Sequence, residues 1–75
     1  MPPLPVVSGK QAVAAFERAG WQVVRRESSH VVMIKQGRQL TLSIPQHREL
    51  DRGTLRSQIR KAELSVEEFV ELLKG

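Results

Sequence analysis

Cysteine is absent from this 75-residue chain, which excludes a disulfide framework and any thiolate chemistry and fits a reducing, cytoplasmic setting. Long apolar runs are absent as well. Nothing approaches the ~18 to 20 residues needed to cross a bilayer, so no membrane partner is expected. The opening "MPPLPVV" has neither a basic start nor a long apolar stretch. It reads as a stiff extended leader over residues 1–7 rather than as a signal peptide. Histidine is scarce: His30 and His47 stand 17 residues apart, with no cysteine and no clustered carboxylates among the strands. That set does not supply the three or four ligands of a usual zinc or iron site, and no metal or other cofactor is expected. Gly9, Gly20, Gly37 and Gly53 are isolated, so there is no glycine-rich phosphate loop. Ser28 and Ser29 adjoin His30, but no carboxylate is identifiable that would orient a nucleophilic triad.

What remains is a small basic domain. A chain of this length folds as one unit, here residues 8–75, with about 60 to 65% of its unfolded surface buried and no room for a large substrate cavity. Its charge is unevenly spread. Residues 1–62 hold 11 Lys and Arg against Glu17, Glu27, Glu49 and Asp51, a balance of +7, whereas residues 63–75 set Lys74 against Glu63, Glu67, Glu68 and Glu71, a balance of −3. The basic part is where a polyanion would be met. A solvated charged surface would give the same composition.

Hydrophobic spacing orders the chain. In "VVSGKQAVAAFERAG", Ser8 and Gln11 form a capping box, Gly20 ends the helix, and Ala12, Val13, Phe16 and Ala19 make an apolar stripe over residues 9–19. Strand-like runs follow at 21–27, 30–36 and 39–45. In the last, Leu40, Leu42 and Ile44 alternate with Gln39, Thr41 and Ser43, and in the first Trp21 and Val23 share a face. Short connections at Ser28-Ser29 and around Gly37 require an antiparallel meander. Val31, Val32, Met33 and Ile34 are apolar on both faces, so alternation leaves the direction of His30 open. After the loop "QHRELDR", Leu55, Ile59 and Ala62 resume helical spacing, with Arg52, Arg56 and Arg60 four apart as a basic stripe. Ser65 and Glu68 form a second capping box before Val66, Phe69, Val70 and Leu73. Helix, three strands, then one broken or two short helices make an α+β two-layer sandwich.

Acid/base chemistry on RNA is compatible with so small a set of groups. RNA carries its own nucleophile, the 2′-hydroxyl; it needs a group that moves a proton and cations that steady the phosphate. Imidazole, titrating at about 6.5 when free, suits the first task, and arginine suits the second. A histidine that merely opens a strand would look the same in the sequence.

The stretch "SSHVVMIKQGRQLTLSIPQHRELDRGTLRSQIRKAELSVEEFVELL" resembles the HicA family, small RNA-cleaving toxins of type II toxin-antitoxin pairs. The family pattern is a Gly-Ser-His corner, a basic hairpin, a Pro-x-His, a Gly-Thr-Leu opening the second helix, and a Leu-Ser before the last. "SGKQAVAAFERAGWQVVRR" is similar to the family's first helix and strand, so the likeness runs from Ser8 to Leu73. Order and spacing carry it, since each motif is short. The resemblance implies a fold like the double-stranded-RNA-binding domain, a ribonuclease acting on mRNA, and inhibition by a HicB-like antitoxin. By position, His30 matches the catalytic histidine, with Ser29 and His47 as accessory candidates. Gly53, Thr54 and Leu55 match the helix-opening motif, Thr54 as a cap and Leu55 as core. Arg25, Arg26, Lys35, Arg38, Arg52, Arg56 and Arg60 are the cations available to the RNA backbone.

Two positions depart from the pattern. Ser28 replaces the corner glycine and Glu63 a glycine between the last two helices, each at a cost of roughly 1 kcal/mol if the backbone is left-handed there. The rival function is a non-catalytic RNA-binding module of the same architecture, using the basic face without a histidine. The chain lacks that module's Gly-Pro-x-His loop, and "RGTLRSQIRK" only loosely resembles its lysine-rich helix start. A protein-binding adaptor would fit the acidic last helix but leaves the +7 segment without a task.

Overall fold

Ser8 opens the first helix as its spacing with Gln11 predicts. The Ser8 hydroxyl accepts from the Gln11 amide at 3.1 Å, and the Ser8 amide donates to Gln11 Oε1 at 2.9 Å. In the computed structural model, which describes residues 3–75, the elements run α1 (Gly9–Arg18), β1 (Gln22–Glu27), β2 (His30–Ile34), β3 (Leu42–Pro45), α2 (Arg52–Lys61) and α3 (Val66–Leu73). This is the expected α+β arrangement, with the C-terminal helical region divided in two. Among the described residues, no helix is long and apolar enough to cross a membrane.

Each helix end has an identifiable cause. At the end of α1, Gly20 adopts φ 101°, its amide bonds to Glu17 O, and the Trp21 amide bonds to Phe16 O, a Schellman closure that requires a left-handed residue. Lys35 Nζ adds a bond to Ala19 O at 2.9 Å. The end of α2 repeats the closure: Glu63 N bonds to Arg60 O and Leu64 N to Ile59 O, with Glu63 left-handed at φ 59°. Asp51, not Thr54, caps the start of α2, because Thr54 lies one turn in and its amide donates to Asp51 Oδ2 at 3.1 Å. The Ser65–Glu68 capping box at α3 forms as expected.

The three strands are antiparallel in the order β1-β2-β3. Val31, Met33, Leu42 and Ile44 point from the sheet into the core, where they meet Phe16 of α1, Leu55 and Ile59 of α2, and Phe69 of α3. Phe16 and Phe69 pack with ring centroids 5.1 Å apart. A fully buried phenylalanine of this kind contributes about 3 to 5 kcal/mol relative to alanine. Opposite parity puts His30, Val32 and Ile34 on the other face of the sheet, beside Arg25 and Glu27 of β1 and Ser43 and Pro45 of β3. The outer edge of β3 is covered by α2: Gln58, itself buried, accepts from the Ser43 amide at 3.2 Å. That pairing satisfies a donor which an edge strand otherwise exposes.

The structure corrects two details of the hydrophobic reading. Leu40 is 57% exposed and lies outside β3. Strand β2 ends at Ile34, where Lys35 turns to α1, so residues 39–41 have no partner to extend against. In α3, Leu72 rather than Val70 joins Val66, Phe69 and Leu73 against the core. Within the predicted leader, Leu4 and Val7 are buried in the core and Val7 O accepts from the Leu50 amide at 2.8 Å. Met1 and Pro2 lie outside the described residues.

The corner before His30 is left-handed at Ser28, φ 41°. A two-residue connection between paired Glu27 and His30 favours positive φ, and a side chain there costs about 1 kcal/mol. Ser28→Gly is therefore expected to raise stability by up to about 1 kcal/mol, read as a higher urea midpoint at unchanged slope. Ser29, which is not left-handed, gives the control: Ser29→Gly should lower the midpoint. A gain at Ser29 or a loss at Ser28 contradicts the strain assignment.

Candidate active site

The open face of the sheet holds His30 at the β1–β2 corner. In register, His30 lies between Glu27 of β1 and Pro45 of β3, and its ring is exposed. The direction that alternation left open is thus outward, away from the core. Ser29 Oγ stands 3.4 Å from His30 Nδ1, the ring's one hydrogen-bond contact among the described residues. That contact leaves Nε2 accessible to a substrate.

The corner is tied to the loop that follows β3. The Gln46 amide donates to Ser29 O at 2.6 Å, and the Gln46 side chain donates to Ile44 O at 3.0 Å. His47 comes next, exposed, with its carbonyl accepting from the Gly9 amide at 2.9 Å. Backbone bonds therefore link the segments that carry Ser29-His30 and His47. Arg48, which the sequence reading passes over, is an exposed cation adjoining His47; the basic "HR" pair in the loop was its signal.

The seven expected cations fall into distinct settings. Arg25 Nε pairs with Glu27 Oε2 at 3.1 Å on the same face as His30. Arg26 is exposed on β1 opposite Val31. Lys35 is engaged at the end of α1, and Arg38 pairs with Glu63. Both of those cations are half-buried and bridge one element to another. Arg52, Arg56 and Arg60 are exposed along α2, and none of them forms an ion pair among the described residues. Arg56 and Arg60 border the groove between α2 and α3, floored by Ile59, Leu64 and Val66. The basic surface thus has two parts, one around the corner and one along α2. Among the described residues, no three His, Asp or Glu side chains gather as a metal site would need.

The arrangement suits proton transfer at an exposed surface that also carries cations. Comparison with known proteins identifies the family. No curated protein sequence matches the chain. A chain of the "Toxin-Antitoxin complex from Streptococcus pneumoniae" is similar to it, with 32% identity and a TM-score of 0.68, over 77% of this chain and 98% of that one. The sequence pattern described as "HicA toxin of bacterial toxin-antitoxin" matches residues 9–64, a span that includes the corner, the loop after β3 and all of α2. The chain belongs to the HicA toxin family.

Proposed function

We propose that this toxin is a cytoplasmic ribonuclease that cleaves mRNA by metal-independent acid/base chemistry at His30 and is held inactive by a HicB-like antitoxin. The observation that supports it best is the exposed His30 ring on the open face of the sheet, with Ser29 Oγ 3.4 Å from Nδ1 and no hydrogen-bond partner at Nε2 among the described residues. Neutral Nε2 accepts the proton of a ribose 2′-hydroxyl as that oxygen attacks the adjacent phosphorus. The bond from phosphorus to the 5′-oxygen breaks, and the leaving oxygen takes a proton from His47 or water. The products are a 2′,3′-cyclic phosphate, open to later hydrolysis, and a free 5′-hydroxyl. Arginines around the corner and along α2 hold the backbone and stabilise the charge that develops on the phosphate.

His30→Ala is expected to slow cleavage of a labelled RNA by ~10²- to 10⁴-fold, the usual contribution of a positioned acid/base group. Its fold should persist, since the ring is exposed and its one hydrogen-bond contact among the described residues is to Ser29. Undiminished cleavage would remove His30 from the mechanism. Neutralising Arg52, Arg56 and Arg60 together is expected to flatten the log-affinity against log-salt slope by about 2, from ~0.7 per phosphate contact on a single strand. An unchanged slope would place the α2 stripe away from RNA.

Control by a partner follows from accessibility. Among the described residues, nothing closes over the exposed His30 ring on the open face of the sheet. The structural neighbour belongs to a toxin-antitoxin complex, which supports an antitoxin as the covering partner. A stable inhibitory contact buries about 1,200 to 2,000 Å² in total, half of it on the toxin, and opposite charge would steer the encounter. Co-expression with the cognate antitoxin should rescue growth, and the pair should co-purify. A co-purified complex that cuts RNA as fast as the free toxin would rule out masking.

A further inference from the structure

Gly9 is the first residue of α1, and the sequence offers no reason for it beyond punctuation. It is buried, and its backbone touches the loop that follows β3. A Cβ placed on Gly9 would lie 2.0 Å from Pro45 O, 2.8 Å from Gln46 Cα and 2.9 Å from Gln46 Nε2. The first two of those atoms are backbone and cannot swing away. Its amide, one of the donors left unpaired at any helix start, is spent on His47 O at 2.9 Å. Pro45 is the residue paired with His30 across the β2–β3 ladder, and Gln46 N holds Ser29 O. A continuous set of backbone contacts therefore runs from the start of α1 through residues 45–47 to the corner.

We propose that Gly9 is a positioning residue: by lacking a side chain and donating to His47 O, it seats the 45–47 loop and so sets where His30 and His47 stand relative to each other. Its effect on rate rests on the ribonuclease reading above; its effect on geometry does not. At a helix start with no such neighbour, Ala for Gly would be neutral or favourable, because alanine is the better helix former. Here the added methyl must push the loop off α1. Misplacing a reacting group by about 1 Å can cost 10²-fold in rate while leaving binding intact.

The test compares Gly9→Ala with Ala14→Gly, which weakens the middle of the same helix. For Gly9→Ala, kcat on RNA should fall about 10- to 100-fold with KM within about twofold. The imidazole NMR signals of His30 and His47 should move, and the Gln46 amide should lose protection from hydrogen exchange. Ala14→Gly should lower the melting temperature and leave kcat, the imidazole signals and Gln46 protection as in the native chain. Should Gly9→Ala not fold, chemical synthesis with the hydroxy acid counterpart of glycine at position 9 puts an ester oxygen in place of the N–H, so the bond to His47 O is lost with no side chain added. In that chain the His47 signals should still shift. Native imidazole signals and Gln46 protection in Gly9→Ala, or equal changes in Ala14→Gly, would overturn the proposal. Shifted signals in a chain that cuts no RNA would uphold the positioning and remove only the chemistry assigned to the histidines.

Discussion

A chain this short can bury one face of its sheet, and that constraint shapes everything else about the molecule. Helices α1, α2 and α3 supply the apolar cover for Val31, Met33, Leu42 and Ile44, and of the alternate residues of the same strands His30, Ile34 and Ser43 are left facing water. Any chemistry must then be carried on an open surface by groups that work without a deep cavity. His30 follows by parity: it begins the strand whose next residue, Val31, is core. Because a two-residue connection fixes the register of β1 against β2, the same pairing that builds the core also aims the imidazole outward.

The two left-handed non-glycine residues mark where this economy is under strain. Ser28 occupies the corner before His30, and Glu63 occupies the turn that sends α3 back over α1. They are not equivalent. Glu63 returns something for its backbone conformation, since its carboxylate pairs with Arg38 and links the β2–β3 connection to the end of α2. No comparable contact is made by Ser28 among the described residues. A strained residue one step from the Ser29 carbonyl that receives the Gln46 amide is the kind of feature that the surrounding hydrogen bonds must hold in place.

Much of the fold was legible because local signals and tertiary demands agree. Both capping boxes, the Gly20 stop and the stripe through Ala12 and Phe16 are local, and the structure uses them as the spacing implies. Misreadings arose where a tertiary contact overrode a local pattern. Leu40 continues the alternation of Leu42 and Ile44, yet Lys35 leaves the ladder to cap α1, and the partner strand is gone. The direction of His30 was illegible because Val31 to Ile34 are apolar on both faces; only the pairing of Val31 with core residue Ile44 resolves it. Lys35 and Arg38 read as free cations, whereas their contacts lie with Ala19 O and Glu63, far away in sequence. The glycine at position 9 hid its role for the same reason, as the atoms it makes room for are about 36 residues downstream.

The central claim is that His30 acts on the 2′-hydroxyl of the RNA itself. The most direct measurement replaces that one atom in the substrate: an RNA oligonucleotide that the toxin cleaves, resynthesised with a single 2′-deoxyribose on the 5′ side of the scissile phosphate. The account predicts that this oligonucleotide binds as before and is not cut at that phosphate, while the all-RNA parent yields a 2′,3′-cyclic phosphate end. Cleavage of the deoxy-substituted bond at the parent rate would contradict it.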